Sequence, residues 1–269
     1  MNELAGIEGS TRAKLAEILR NSKSIFTVSE VSELLGIPPP TMAKMMARWV
    51  EQGWLIRVRR GAYMAVPQGA RSPGEVAEDP HLVASRVFEP CYLGGWTAAE
   101  QWGLTEQIFR TIIVLTPRKV NARRPKLRSS QFLIRTIPQK QFFGTKIVWR
   151  ENSKIVFSDP TKTIVDMLNA PGLAGGGRML LQILTTYLSS KDRNLVLLLE
   201  YSKKMGNGAI FKRLGFLLEQ ATSTDEVFSQ QVREHLTAGN AKLDPAVPSE
   251  KLVTRWRLFV PKDWGEPTV

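Results

Sequence analysis

The sequence predicts an α+β fold, in which an N-terminal winged helix-turn-helix is followed by a larger mixed domain with a small sheet and a C-terminal helical part. Two short helical patterns and a basic hairpin pattern follow one another between Phe26 and Val66. Strand patterns then dominate up to residue 158, and helical patterns dominate after Asp159. The predicted boundaries are a winged helix-turn-helix over residues 1–66, a linker over residues 67–80 and an α+β domain over residues 81–269.

The composition favours a nucleic-acid partner. The chain carries a net charge of +12, and its isoelectric point lies near 10.0. Such an excess of positive charge favours a polyanion, and no apolar run is long enough to predict a membrane span. Cys91 is the only cysteine, which excludes an internal disulfide and fits a reducing compartment. The first residues lack the basic and apolar regions of a secretory signal, so we expect a cytoplasmic protein without a membrane partner.

The first two helices are predicted from their apolar period and their end signals. Residues 11–21 place three apolar side chains on one helical face. Thr27 and Glu30 have the spacing of a capping box, in which each side chain accepts a hydrogen bond from the backbone of the other residue. The second helix therefore begins after Thr27, and Gly36 supplies its C-terminal break.

The third predicted helix follows the prolines at positions 38–40 and has Thr41 as its cap or first-turn residue. Its apolar face is formed by Met42, Met45, Met46, Trp49 and Val50. The opposite face is short and positively charged, and the residues that we expect to bind DNA there are Thr41, Lys44 and Arg48. Lys and Arg on such a face can reach phosphates or base edges in a groove.

A basic hairpin is predicted after the third helix. Its strands cover residues 55–58 and 62–66. Arg57, Arg59 and Arg60 would lie on or beside this wing, where they can contact the phosphate backbone or the minor groove. The alternative is a helical hairpin that serves only as scaffold, with arginines that are merely solvated. The unbroken order of helix, glycine, helix, glycine and basic hairpin favours DNA binding.

The remainder of the chain predicts strands first and helices afterwards. Residues 112–115 are apolar and mostly β-branched, which predicts a buried strand. Residues 90–158 predict a small antiparallel sheet, because the connections look too short for parallel crossovers. Asp159 and Pro160 predict the start of a helix. Further helices are predicted at residues 180–188, 195–204, 210–220 and 225–236, and residues 255–260 are predicted to form a last strand or a docking segment.

Three blocks of sequence resemble one protein family. They are RRGAYMAV at the end of the winged helix, YLGGWTAAEQWGLTEQ from Tyr92 to Gln107, and DPTKTIVDMLNAPGLAGGG from Asp159 to Gly177. In this order and at these separations, the blocks resemble the AbiEi family of antitoxins from type IV, abortive-infection AbiE-type toxin–antitoxin systems. The resemblance covers about residues 5–220, whereas the stretch from Thr222 onwards resembles no family.

This resemblance implies a function for each part of the chain. It implies that the winged helix binds operator DNA and represses the protein's own operon. It also implies that the C-terminal domain opposes a cognate nucleotidyltransferase-like toxin in phage defence, without needing a stable complex with that toxin. The residues themselves predict DNA binding and a second domain of unknown task.

A dense basic run in the second domain has two interpretations. It contains no acidic residue, and its charged members are Arg118, Lys119, Arg123, Arg124, Lys126 and Arg128. As a loop between two strands, the run could form a second phosphate-binding surface. It could equally be a solvated loop.

Signals of catalysis are weak, and we expect neither an enzyme nor a metal or cofactor site. The segment GLAGGGR at residues 172–178 lacks the Gly-Lys-Ser/Thr ending of a phosphate loop. Two histidines and one cysteine are too few for a usual zinc site. Asp192, Glu200 and Lys203 only faintly resemble a nuclease constellation. The alternatives to a repressor and antitoxin are a DNA-targeted nuclease and a DNA-binding regulator with a ligand-sensing second domain.

Overall fold

The computed structural model describes residues 9–21, 25–59, 61–66, 79–120, 123–127, 130–150, 153–221 and 226–264. The N-terminal elements are α1 (Gly9–Asn21), β1 (Ile25–Thr27), α2 (Val28–Leu35), α3 (Pro39–Glu51), β2 (Leu55–Arg59) and β3 (Ala62–Ala65). The strands form an antiparallel sheet in the order β1-β3-β2. The helices and one face of this sheet enclose a core that includes Ile18, Val31, Met42, Met46, Trp49 and Leu55.

Helix α3 begins within the run of prolines, and of the two positions predicted for Thr41 the structure confirms the one in the first turn. It starts at Pro39, with Pro38 at the N-cap position. Proline is tolerated in the first turn of a helix, because the N–H that it lacks would have no intrahelical partner there. Thr41 therefore lies within the first turn, not at the cap.

The next elements build a six-stranded sheet with two helices beside it. They are α4 (Pro80–Val87), β4 (Tyr92–Leu93), α5 (Gly95–Gln101), β5 (Thr111–Thr116), β6 (Lys126–Leu127), β7 (Ser130–Thr136), β8 (Thr145–Arg150) and β9 (Ser153–Ser158). The strand order is β6-β7-β5-β4-β9-β8. Residues 67–78, the main part of the predicted linker, lie outside the described residues, and Asp79 caps α4.

The prediction of an antiparallel sheet is wrong for this sheet, which is mixed. β5 and β7 run parallel over their full paired length, from Thr111 opposite Gln131 to Thr116 opposite Thr136. β4 and β9 also run parallel, whereas the β4–β5, β6–β7 and β8–β9 pairs are antiparallel. A parallel crossover needs roughly a dozen residues, and the segment between β5 and β7 is just long enough.

Both faces of strand β5, inside the six-stranded sheet, are buried, as its apolar run requires. Ile112 and Val114 face one hydrophobic cluster, while Ile113 and Leu115 face another. Such alternation between two covered faces explains why the strand reads as a continuous apolar run rather than as an amphipathic one.

The C-terminal part is mainly helical, as predicted. It comprises α6 (Pro160–Asn169), α7 (Gly177–Ser189), α8 (Leu195–Met205), α9 (Ala209–Gln220), α10 (Glu226–Arg233), β10 (Ala241–Lys242), β11 (Lys251–Val253) and β12 (Leu258–Val260). The predicted last strand is shorter than expected, because residues 254–256 form a 3-10 turn that places Trp256 over α9. Gly215 permits this approach, since a Cβ there would lie 2.0 Å from the Trp256 ring.

One hydrophobic cluster joins the N-terminal sheet to the larger sheet, and we call it the bridging cluster. Its buried members are Ile25, Val58, Ala62, Val83, Ala84, Val87, Cys91, Leu93, Ala98, Ile112, Val114, Phe132, Ile134, Ile155 and Phe157. Helix α4 lies between the two sheets and contacts β1 on one side and β4, β5 and β9 on the other. Each face of the hairpin formed by β2 and β3 therefore has packed residues: Leu55 and Tyr63 lie in the core with helices α1–α3, and Val58 and Ala62 lie in the bridging cluster with α4.

Candidate nucleic-acid interface

Helix α2 starts and ends where its capping residues predict. The Thr27 N–H donates to the Glu30 carboxylate at 2.7 Å, and the Glu30 N–H donates to the Thr27 Oγ1 at 3.3 Å. Partial burial raises the pKa of Glu30, but hydrogen bonds from the Thr27 backbone and Arg86 outweigh it and leave that pKa below its ordinary value. Gly36 ends the helix with a φ of 65°, a left-handed conformation that glycine adopts without strain. These two ends fix the turn that leads into α3.

Helix α3 presents its three predicted DNA-binding residues to solvent. Thr41, Lys44 and Arg48 are all exposed. Their spacing of three and four residues places them on one helical face. Met42 and Met46 point the other way and are 0 % exposed, so the helix is held firmly against α1 and α2. The result is a rigid, basic and accessible helix face.

The hairpin places one further predicted residue beside this face. Arg57 is exposed and pairs with Tyr63 across the hairpin. It shares a side of β2 with Leu55, which packs against the helices, so Arg57 points to the helix side of the small sheet. The backbone of Arg59 pairs with Ala62, whereas its side chain and all of Arg60 lie outside the described residues.

The basic run in the second domain, which we call the second basic surface, lies on the crossover between β5 and β7. Its described members Arg118, Lys119, Arg123, Arg124 and Lys126 are exposed. The Arg118 Nη1 donates to the Glu89 carbonyl at 2.6 Å, which ties the start of the crossover to the end of α4. Arg128 lies outside the described residues.

Positive charge is unevenly distributed along the chain. Residues 107–150 contain eleven Lys and Arg residues and no Asp or Glu. Residues 1–66, by comparison, contain nine basic and six acidic residues. Most of the net charge of +12 therefore belongs to the sheet of the second domain, not to the N-terminal helices.

Arg86 connects the two parts of the chain, a role that no pattern in the sequence predicts. From α4, its Nε donates to the Ile25 carbonyl at 3.2 Å and its Nη2 to Glu30 at 2.7 Å. Its Nη1 donates to Glu89 at 3.2 Å. Because Glu30 also closes the capping box of α2, helix α4 is bonded directly to α2 of the candidate DNA-binding unit. An arginine in a short helix carries no pattern that predicts a partner 56 residues away.

A buried polar network on α6 is the second feature that the sequence did not reveal. Lys162 and Asp166 form a salt bridge with side chains 0 % and 3 % exposed. Tyr92 donates to Asp166 at 2.9 Å and accepts from Lys162 at 3.1 Å. Burial raises the pKa of Asp166, while Lys162 acts against that rise. The spacing of four residues predicts an ion pair on one helical face, but not its burial.

The remaining residues considered for catalysis, metal binding or base stacking lie at exposed or structural positions. Glu200 and Lys203 are exposed on α8, and within the described ranges no three His, Cys, Asp or Glu residues are grouped as metal ligands. Trp96 and Trp102 each donate an indole N–H to a backbone carbonyl at 2.7 Å. The glycine segment ends at Gly177, where a Cβ would press on Leu243 at 3.2 Å, so close packing accounts for that residue.

A capped helix, a tight turn and a second helix with an exposed basic face fit the helix-turn-helix arrangement of DNA-binding regulators. Residues 13–66 match the sequence model of a family described as a transcriptional regulator, AbiEi antitoxin. The match confirms the resemblance to AbiEi antitoxins over this segment of the chain. No curated protein matches the chain. Among the described residues, no helix is both long and apolar enough to cross a membrane.

Proposed function

We propose that the chain is a transcriptional repressor of its own operon and an antitoxin that counteracts a cognate nucleotidyltransferase-like toxin. The observation that carries the first part is the exposed face of α3 in a segment that matches an AbiEi regulator family. The N-terminal part acts as a winged helix, in which α3 enters the major groove of operator DNA and the hairpin contacts the adjacent backbone. We propose no catalytic role for either part of the chain.

Each candidate residue has its own task in this proposal. Thr41, Lys44 and Arg48 contact base edges and phosphates from α3, and Arg57 contacts the backbone from the hairpin, together with Arg59 and Arg60. The second basic surface supplies further phosphate contacts beside the operator. Its support is that Val120 and Leu127, within the same crossover, pack against the bridging cluster that also holds the hairpin strands. The crossover and the hairpin are thus fixed to one core.

Antitoxin action is assigned to the second domain. It rests on the resemblance of its sequence blocks and on the matched regulator family of the first. The toxin is a functional partner, and a stable complex with it is not required. The proposal that the protein represses its own operon rests on the same resemblance. Binding to the DNA upstream of its own gene tests this part.

The decisive experiment is a fluorescence-anisotropy titration of the protein on its own upstream DNA and on a scrambled duplex. If Arg48 contacts a base, Arg48→Ala should weaken binding to the upstream DNA by roughly 1–3 kcal/mol. The variant should then bind the scrambled duplex almost as tightly as wild type does. An equal loss on both duplexes would assign Arg48 to phosphate. Lys203→Ala, which removes one exposed charge from α8, is the matched control.

Two outcomes would contradict the proposal. If the wild-type protein binds both duplexes equally at moderate salt, it does not recognise an operator in the upstream DNA. If Arg48→Ala binds both duplexes as tightly as wild type does, this face of α3 does not contact DNA. Antitoxin action is tested separately by co-expressing the protein with the neighbouring toxin and following growth. We expect Arg48→Ala to protect cells as well as wild type, when both are expressed from a foreign promoter.

A further inference from the structure

A cavity of about 310 Å³ lies on the larger domain, between the start of α5 and strands β5, β6 and β7 of the six-stranded sheet. Its lining residues are Trp96, Thr111, Arg124, Pro125, Lys126, Gln131, Phe132 and Leu133. Ligand pockets in proteins begin at roughly 300 Å³, so this volume suits a small ligand only. The function proposed above uses Arg124 and Lys126 only as part of the second basic surface, and it gives the aromatic part of the cavity no task.

Trp96 lines the cavity and is held in place by two contacts. Trp96 stacks on Phe109, with ring centroids 4.9 Å apart and planes inclined by 12°. Its indole N–H donates to the Thr111 carbonyl at 2.7 Å, so the ring cannot turn without losing a hydrogen bond. A flat ring that is held in place before binding offers a stacking surface at little entropic cost.

The rim of the cavity is positively charged. Arg124 and Lys126 are exposed, and no carboxylate is among the lining residues. Arginine can bind a phosphate through two parallel hydrogen bonds, and lysine adds a point charge. Gln131, also exposed, offers an amide that can both donate and accept at a polar edge.

A larger cavity among the described residues differs in this respect. It measures about 550 Å³ and lies beside Gly176 and Trp264. Its basic residues face acidic ones, because Arg178 pairs with Asp263 at 2.8 Å and Asp244 lines the same wall. That balance of charge specifies no ligand class, whereas the smaller cavity combines one aromatic wall with unopposed positive charge.

We propose that the smaller cavity binds a mononucleotide, with its base against Trp96 and its phosphate at Arg124 and Lys126. The ligand class follows from the combination of a planar apolar wall, a polar amide and two cations within a volume that admits one nucleotide. The binding of a free nucleotide would give the second domain a means to sense a small molecule. It does not depend on operator recognition by α3, since the cavity lies wholly on residues of the larger domain.

The test is isothermal titration calorimetry on the full chain, in the absence of DNA. The titrants are the four ribonucleoside 5′-monophosphates, the corresponding nucleosides and inorganic phosphate. We expect at least one monophosphate to bind, with nucleoside and phosphate each weaker by about tenfold or more, because each keeps only one of the two sets of contacts. Arg124→Ala/Lys126→Ala should weaken binding of the monophosphate by about tenfold or more.

A second pair of variants separates the aromatic wall from the charge. Trp96→Leu should lose affinity for the nucleotide, whereas Trp96→Phe should retain most of it, with urea unfolding used to check that both remain folded. Lys191→Ala/Lys203→Ala removes two exposed charges elsewhere and should bind as wild type does. The proposal is overturned if no monophosphate binds, if phosphate or a nucleoside alone binds as tightly, or if the Arg124→Ala/Lys126→Ala variant binds unchanged.

Discussion

At the scale of single residues, the exposed and the buried charges of this protein have different origins. The exposure of Thr41, Lys44 and Arg48 could be predicted, because a helical period separates an apolar face from a basic one. The burial of Lys162 and Asp166 could not be predicted, since a charged pair spaced by four residues is usually solvated. Its burial is decided by α8 and the sheet, which pack over α6 from distant parts of the chain.

His81 makes stability depend on pH. It lies edge-on to the Phe157 ring at 5.7 Å, and its Nδ1 has no hydrogen-bond partner. Burial lowers the pKa of His81 below its ordinary value, Asp79 opposes this shift and Arg150 adds to it. The unfolded chain therefore binds a proton more readily than the folded chain does, so the free energy of unfolding should fall as pH drops below about 6.5.

The prediction is checked by urea unfolding between about pH 7.5 and 5.5, a range above the titration of most carboxylates. His81→Leu should flatten the fall in this range, because it leaves no group to protonate at that position. His235→Gln, the matched control, should keep the wild-type fall. An unaltered pH profile in His81→Leu would assign the dependence to another group.

At the scale of elements, the sequence predicts which segments form helices and strands better than it predicts how they pair. The apolar run in β5 and the alternation in β7 identify both strands. Nothing in either strand specifies that the two run parallel, because parallel and antiparallel neighbours can present the same pattern of side chains. The pairing is set by the crossover, whose β6 turns back along the outer edge of β7.

Arg86 should stabilise the N-terminal part through α4. Replacing it in Arg86→Met leaves the methylene stem but removes the bonds to Ile25 and Glu30. We expect a loss of roughly 1–3 kcal/mol in the free energy of unfolding, since a part-buried carbonyl and a carboxylate lose a charged donor. Urea denaturation measures this loss. Arg110→Met, at an exposed position, should change stability by less than about 0.5 kcal/mol.

Equal stability of Arg86→Met and wild type would show that the contact between α4 and α2 contributes nothing to the free energy of unfolding. A double variant with Glu30→Gln refines the result. If the two side chains act through one another, the combined loss should be smaller than the sum of the single losses.

At the scale of the whole molecule, the distribution of charge was visible in the sequence, but the position of the charges relative to the hairpin was not. The acid-free stretch of residues 107–150 provides the strands and the crossover of the larger sheet. Only the fold shows that this crossover is anchored in the bridging cluster beside the hairpin. The contact arises from α4, whose place between two sheets no local pattern predicts.

The salt dependence of DNA binding should report whether the second basic surface takes part. Each phosphate that a protein neutralises steepens the dependence of log K on log salt by about 0.9. Lys119→Ala/Arg123→Ala should therefore make the slope shallower by roughly 1 to 2 on any duplex, without changing sequence preference. Lys191→Ala/Lys203→Ala serves as a control of equal charge. An unchanged slope would mean that the crossover is only solvated.

The covered hairpin also limits how this protein can be altered. Val58 and Ala62 near the tip of the hairpin are buried with Val83 and Val87 of α4. A different DNA-binding domain, fused in place of the N-terminal part, would have to provide apolar side chains that pack against α4. Otherwise the fusion would leave a hydrophobic patch exposed to water. New operator specificity is therefore reached more safely by changing the outer side chains of α3 than by exchanging the module.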